Sequence, residues 1–90
     1  LGKKGSTLIE NGELQTSAKV EAITLIKSKL SNPSSYNGNG WIQGDYNKSS
    51  DHERYFLLHR FTVTNEYGVK EEMSATVIFD KDGHAVRVEF

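Results

Sequence analysis

The sequence predicts an α+β domain: one N-terminal helix packed on a three- or four-stranded antiparallel meander sheet. Three observations carry this. Residues 16–30 form the one convincing helical stretch, with apolar side chains recurring every third to fourth residue. Residues 54–64 and 69–79 alternate in the two-residue period of half-buried strands. Asn65-Glu66-Tyr67-Gly68 and Asp80-Lys81-Asp82-Gly83 are short turn sequences between the later strands. Connections that short make hairpins, whereas parallel strands need long crossovers.

In chain order, residues 1–15 are polar with glycine at 2, 5 and 12, and read as a flexible lead or linker. Gly2 to Ser6 is the linker proper, and Leu8-Ile9 is the one short apolar contact in it. Residues 16–90 then form a single α+β domain. In the helix, Ala18, Ala22, Ile26 and Leu30 fall on one row, with Ile23 and Leu25 beside it. Thr16 or Ser17 supplies the N-cap oxygen. Ser31-Asn32-Pro33 stops the helix, because proline disfavours helical geometry at the residue before it.

Asn32 to Gly40 is dense in turn residues, and a short first strand follows at Trp41 to Tyr46. The strand at 54–64 places Tyr55, Leu57, His59, Phe61 and Val63 toward the helix, and Phe56, Leu58 and Arg60 away from it. The strand at 69–79 directs Met73, Ala75, Val77 and Phe79 inward. The closing strand directs Val86, Val88 and Phe90 inward.

Composition bounds the function. Ninety residues make one small domain. There is no cysteine, so neither disulfides nor thiolate metal sites are available. A net charge of −1 provides no long-range attraction for nucleic acid, and none is expected as a partner. No apolar run approaches the roughly 20 residues that span a bilayer. The chain begins at Leu1 rather than methionine, which reads as a processed or trimmed fragment that has lost a targeting segment.

The helix exit Lys29-Leu30-Ser31-Asn32-Pro33-Ser34-Ser35-Tyr36 resembles that of small bacterial domains, many of them exported or lipoprotein-attached. The aromatic strand Tyr55 to Phe61, then Thr64 to Gly68 and Val77 to Gly83, fit the same pattern. The layout is similar to cystatin-like and NTF2-like architectures, a helix lying across a curved antiparallel sheet. This resemblance implies an extracytoplasmic, secreted or lipid-anchored setting and no catalytic residues. Cystatin-type inhibitors carry a Q-x-V-x-G hairpin that is missing from this sequence. NTF2-like enzymes close their pockets with further helices that this chain is too short to supply.

Several residues invite chemistry. His59 lies between Leu57 and Phe61 on the core face. It is either a base or ligand in a pocket, with Tyr55 or Tyr46 near it, or a structural histidine whose ring nitrogens are satisfied. His52, His59 and His84 show no metal-ligand spacing, and no metal or cofactor is expected. Asp80-Lys81-Asp82-Gly83 opens like a calcium loop, but strand residues follow at once, so a hairpin turn is the better reading. Trp41, Tyr36 and Tyr46 surround Gly38, Gly40 and Gly44 and are candidates for contacting a partner or sugar, or else for plugging the core beneath the helix. Phe56 and Leu58, on the face away from the helix, are candidates for an interface. The leading expectation is a non-enzymatic binding or protein-interaction module with a protein partner or self-association, tethered to a membrane through the removed segment. A small-ligand pocket protein around His59 and a structural dimerisation domain are the alternatives.

Overall fold

The computed structural model describes residues 8–10 and 13–90. Among these residues the architecture is α+β: one α-helix, a four-stranded antiparallel sheet and a two-stranded antiparallel ribbon. The ribbon, β1 (Ile9–Glu10) and β2 (Glu13–Leu14), pairs Ile9 with Leu14. Among the described residues of the stretch read as a lead, 8–10 and 13–15, it adds a structured contact. Leu14 is only 4% exposed and belongs to the core, with Leu8 and Ile9 packed against it. The adjacent pair Leu8-Ile9 and a single Leu14 are too few to establish a period, so sequence patterning passes over them. The linker segment Gly2 to Ser6 lies outside the described residues.

Helix α1 (Thr16–Lys27) buries Ala18, Ala22 and Ile26 completely, the row expected from the spacing. Neither Thr16 nor Ser17 caps it. Gln15 holds the N-cap position with no side-chain bond to the helix. Its N–H donates to Leu8 O at 2.8 Å, while its own carbonyl accepts from Lys19 N–H at 3.1 Å. The ribbon therefore fixes the helix entry that a hydroxyl cap was expected to fix. The α-helix also ends three residues early. Lys29 N–H bonds to Ile26 O and Leu30 N–H to Lys27 O, which tightens the last turn into 3₁₀ geometry. A separate 3₁₀ turn, Pro33–Ser35, follows.

The main sheet runs β3 (Asn37–Asp45), β4 (Tyr55–Thr64), β5 (Lys70–Phe79) and β6 (Ala85–Glu89), in that spatial order. β3 starts four residues before the expected Trp41. The glycine-rich stretch expected to turn pairs with β4 instead, Asn37 opposite Thr62 and Gly38 opposite Phe61, with a bulge before Gly40. On β4, Leu57, His59, Phe61 and Val63 point into the core, and on β5 Ala75, Val77 and Phe79 join them, as the alternation requires.

β6 departs from expectation. Phe79 pairs with Ala85 and Ile78 with Arg87, so Val86 is the extra residue of a bulge. The bulge resets the alternation, so Ala85 and Val88 pack on the core and Val86 is exposed, while Phe90 is exposed one residue past the end of the strand.

Candidate functional site

Three of the residues singled out in the sequence converge beside the helix. Tyr36 follows the 3₁₀ turn, Trp41 lies on β3, and His59 lies directly opposite Trp41 on β4. The Trp41 and His59 rings stack with centroids 3.6 Å apart and planes 12° from parallel. Phe61 and Tyr36 flank the imidazole at 5.6 Å each. From α1, Lys19 Nζ lies 5.7 Å from the Trp41 ring and Lys27 Nζ 5.2 Å from the Tyr36 ring. His59 is fully buried.

The hydrogen bonds fix its tautomer. His59 Nδ1 is 2.7 Å from Gly40 O, and a carbonyl oxygen only accepts, so Nδ1 carries the proton. Nε2 then accepts from Tyr36 Oη–H. Burial pushes the His59 pKa below the ordinary histidine value, and the Gly40 carbonyl opposes this to a smaller extent. Burial also raises the Tyr36 phenol. The imidazole is thus neutral at pH 7, with both nitrogens engaged and no surface turned to solvent. A general base needs a free lone pair within reach of the proton it removes, and this ring presents none. The arrangement instead ties the start of β3 and the 3₁₀ segment to the middle of the sheet.

Gly38 belongs to the same construction. A methyl group on it would fall 2.8 Å from Tyr36 Oη and 3.1 Å from His59 Cε1.

Tyr46 is not part of this cluster. Its Oη accepts from an Arg87 NH2 group at 3.2 Å, and Arg87 Nε also donates to Glu53 at 2.9 Å, with a further pairing to Glu89. These groups accompany the row Gly44–Phe56–Ile78–Arg87 on the face away from the helix. A methyl on Gly44 would fall 2.5 Å from the Phe56 ring, so the ring lies over that glycine. Ile78 is fully buried although it does not face the helix.

Phe56 and Leu58 therefore have different surroundings. Phe56 packs into a row that the chain covers itself. Leu58 is half-buried in the next row, beside Ile42, which is 59% exposed. Asn39, Gly40, Ile42, Leu58, Arg60 and Glu72 line a shallow hollow of about 350 Å³ there. Among the described residues, no group of three or more histidine, aspartate or glutamate side chains is placed to hold a metal ion. His84 Nδ1 contacts Glu21 Oε2 at 3.1 Å on the surface.

A further surface had no counterpart in the sequence reading. Asn65 Oδ1 accepts from the N–H groups of Tyr67 (2.9 Å) and Val69 (3.0 Å). The Asn65 N–H donates to Val69 O, the Gly68 N–H donates to Asn65 O, and Gly68 takes φ +79°. This closed loop carries Tyr67 at 83% exposure and Val69 at 56%. Leu30, Asn32, Val63, Asn65, Glu71 and Met73 line a hollow of about 230 Å³ beside it. The readable signal was that Asn65 and Gly68 suffice to close such a loop, which leaves Tyr67 without a structural task.

No protein-family model, no curated protein and no solved structure matches this chain.

Proposed function

We propose that this chain is a non-catalytic, extracytoplasmic protein-interaction module that engages a protein partner through the β4–β5 hairpin end. The observation that carries the reading is Tyr67, the most exposed of the large hydrophobic side chains among the described residues, on a loop closed by its own hydrogen bonds next to a hollow that has Leu30, Val63 and Met73 in its lining. Tyrosine is a frequent interface anchor because a large, stiff side chain loses little conformational entropy on docking. A preorganised loop removes much of the ordering cost of association. The sealed surroundings of His59 weigh against a ligand pocket built on it. The extracytoplasmic setting and membrane tethering rest on the resemblance of the helix exit to exported bacterial domains. The cystatin-like or NTF2-like assignment rests on the same resemblance and is supported by a helix preceding a four-stranded meander.

A second reading, assembly through the opposite sheet face, is favoured by the exposure of Ile42 beside half-buried Leu58. Photocrosslinking separates the two. With p-benzoylphenylalanine in place of Tyr67, irradiation of the native cells is expected to give a discrete protein adduct. The same substitution at Ile42 is expected to give none. An adduct at Ile42 alone would transfer the function to the sheet face, and no adduct at either position would overturn the interaction reading.

A further inference from the structure

The hairpin end carries an exposed aromatic and, joined to it through Asn65, a hollow. Tyr67 stands on the loop, and Leu30, Val63 and Met73 are the apolar side chains in the otherwise polar lining of the hollow beside it. We infer that the partner docked here is a second copy of this chain, each copy inserting Tyr67 into the hollow of the other. The inference rests on the interaction reading above and names its occupant.

Two features favour a second copy over an unrelated protein. The first is that an isologous two-fold interface uses one patch twice, so that patch must hold both the inserting group and its receptor. Here both come from consecutive structure: Val63, Asn65, Glu71 and Met73 of the hollow bracket the loop that carries Tyr67. The second is charge. The loop flanks carry Glu66 and Lys70, both exposed, and the rim of the hollow carries Lys29 and Glu71, both exposed. A patch with one acid and one base on each half can meet its own two-fold copy with unlike charges opposed. Strongly one-signed patches repel their copies instead.

The size of the contact sets its strength. An inserted aromatic side chain buries roughly 150–250 Å² of its own surface, so a reciprocal pair with its rim stays below about 1,200 Å² in total. That is the range of weak, reversible association. A dimer in slow exchange at low concentration is not expected.

Sedimentation of the full chain from about 10 μM to about 1 mM tests this. The average mass is expected to rise toward two chains with concentration. Tyr67→Ser changes an exposed side chain, so the fold is expected to persist while association weakens at least about tenfold. Unlike charges are opposed when Glu66 of one copy meets Lys29 of the other, so Glu66→Lys is expected to weaken association several-fold. The double variant Glu66→Lys/Lys29→Glu is expected to recover it. A wild-type chain that stays monomeric at the highest concentration overturns the inference, as does a Tyr67→Ser variant that associates as well as wild type. The crosslink keeps the two proposals apart. An adduct through position 67 whose mass is not that of two chains overturns self-docking alone, whereas no adduct overturns the interaction reading beneath it.

Discussion

At the scale of single residues, the central fact is a buried polar side chain whose every hydrogen-bonding group is engaged. A fully buried imidazole without partners would be strongly unfavourable. Tyr36 and Gly40 supply those partners, and Trp41 covers the ring. Tyr36→Phe keeps the ring contacts and strands Nε2, an outcome expected to destabilise the fold by about 1–3 kcal/mol in urea unfolding. A loss within error would mean that solvent reaches Nε2 and that the site is open.

The pH dependence follows from the same geometry. The folded pKa of His59 lies below the ordinary value of about 6.5, so the unfolded chain takes up its proton first as pH falls. This contribution is complete above about pH 6.5 and is lost as pH drops from there toward the folded pKa. The unfolding midpoint is expected to fall between pH 7.5 and 5.5, and His59→Gln is expected to flatten that slope. A slope that is the same in the variant would assign the proton uptake elsewhere. The sequence made His59 conspicuous because it interrupts an apolar row. It could not show which nitrogen meets which partner, because Tyr36 and Gly40 lie 23 and 19 residues away along the chain.

At the scale of elements, β3 shows why propensity misleads. Asn37-Gly38-Asn39-Gly40 has turn composition, yet it is strand. Partner strands and the tyrosine–histidine contact decide the matter, since a central strand as long as β4 offers a pairing edge that local preference cannot outweigh. Gly38 and Gly40 separate the two influences. A methyl on Gly38 would press on Tyr36 and His59, whereas one on Gly40 meets nothing within 4 Å. Gly38→Ala is therefore expected to cost at least about 1 kcal/mol, and Gly40→Ala to be neutral or stabilising by a few tenths. Equal effects would show that the glycines serve backbone flexibility rather than space.

The helix was legible because its apolar row needs only local spacing. Its first residue, Thr16, was legible as well, but its cap and its last turn were not, because the ribbon at one end and the tightened turn at the other are set by contacts that spacing does not encode. The strands β4 and β5 were legible for the same local reason, and β6 was misread by one residue because bulges leave no mark in composition.

At the scale of the molecule, the two hairpin loops are the same device put to different uses. Asn65 and Asp80 each accept from the N–H groups two and four residues on. Gly68 and Gly83 each occupy positive φ, +79° and +91°, and each donates to the carbonyl three residues back. The surroundings differ. Gly68 has nothing within 4 Å of where a Cβ would stand. Gly83 is buried, and a Cβ there would fall 2.8 Å from Leu8 Cβ and 3.1 Å from the Leu8 carbonyl carbon. One loop thus faces outward with Tyr67, while the other receives the N-terminal ribbon. The ribbon's far strand reaches β3, where Leu14 N–H donates to Gln43 Oε1 at 2.8 Å.

The matched pair Gly68→Ala and Gly83→Ala exploits this difference. Both place a side chain in left-handed backbone geometry, at a shared cost of about 1–2 kcal/mol. Only the second also pushes Leu8 off the turn, and Leu8 is tied through its carbonyl to Gln15 at the helix entry. Gly83→Ala is therefore expected to be the more damaging by at least about 1 kcal/mol in urea unfolding, and to increase amide exchange at the first turn of α1. Gly68→Ala is expected to leave that turn protected. Equal losses, with equal exchange at α1, would show that the ribbon does not hold its place on the second hairpin, and that the folded unit starts at the helix.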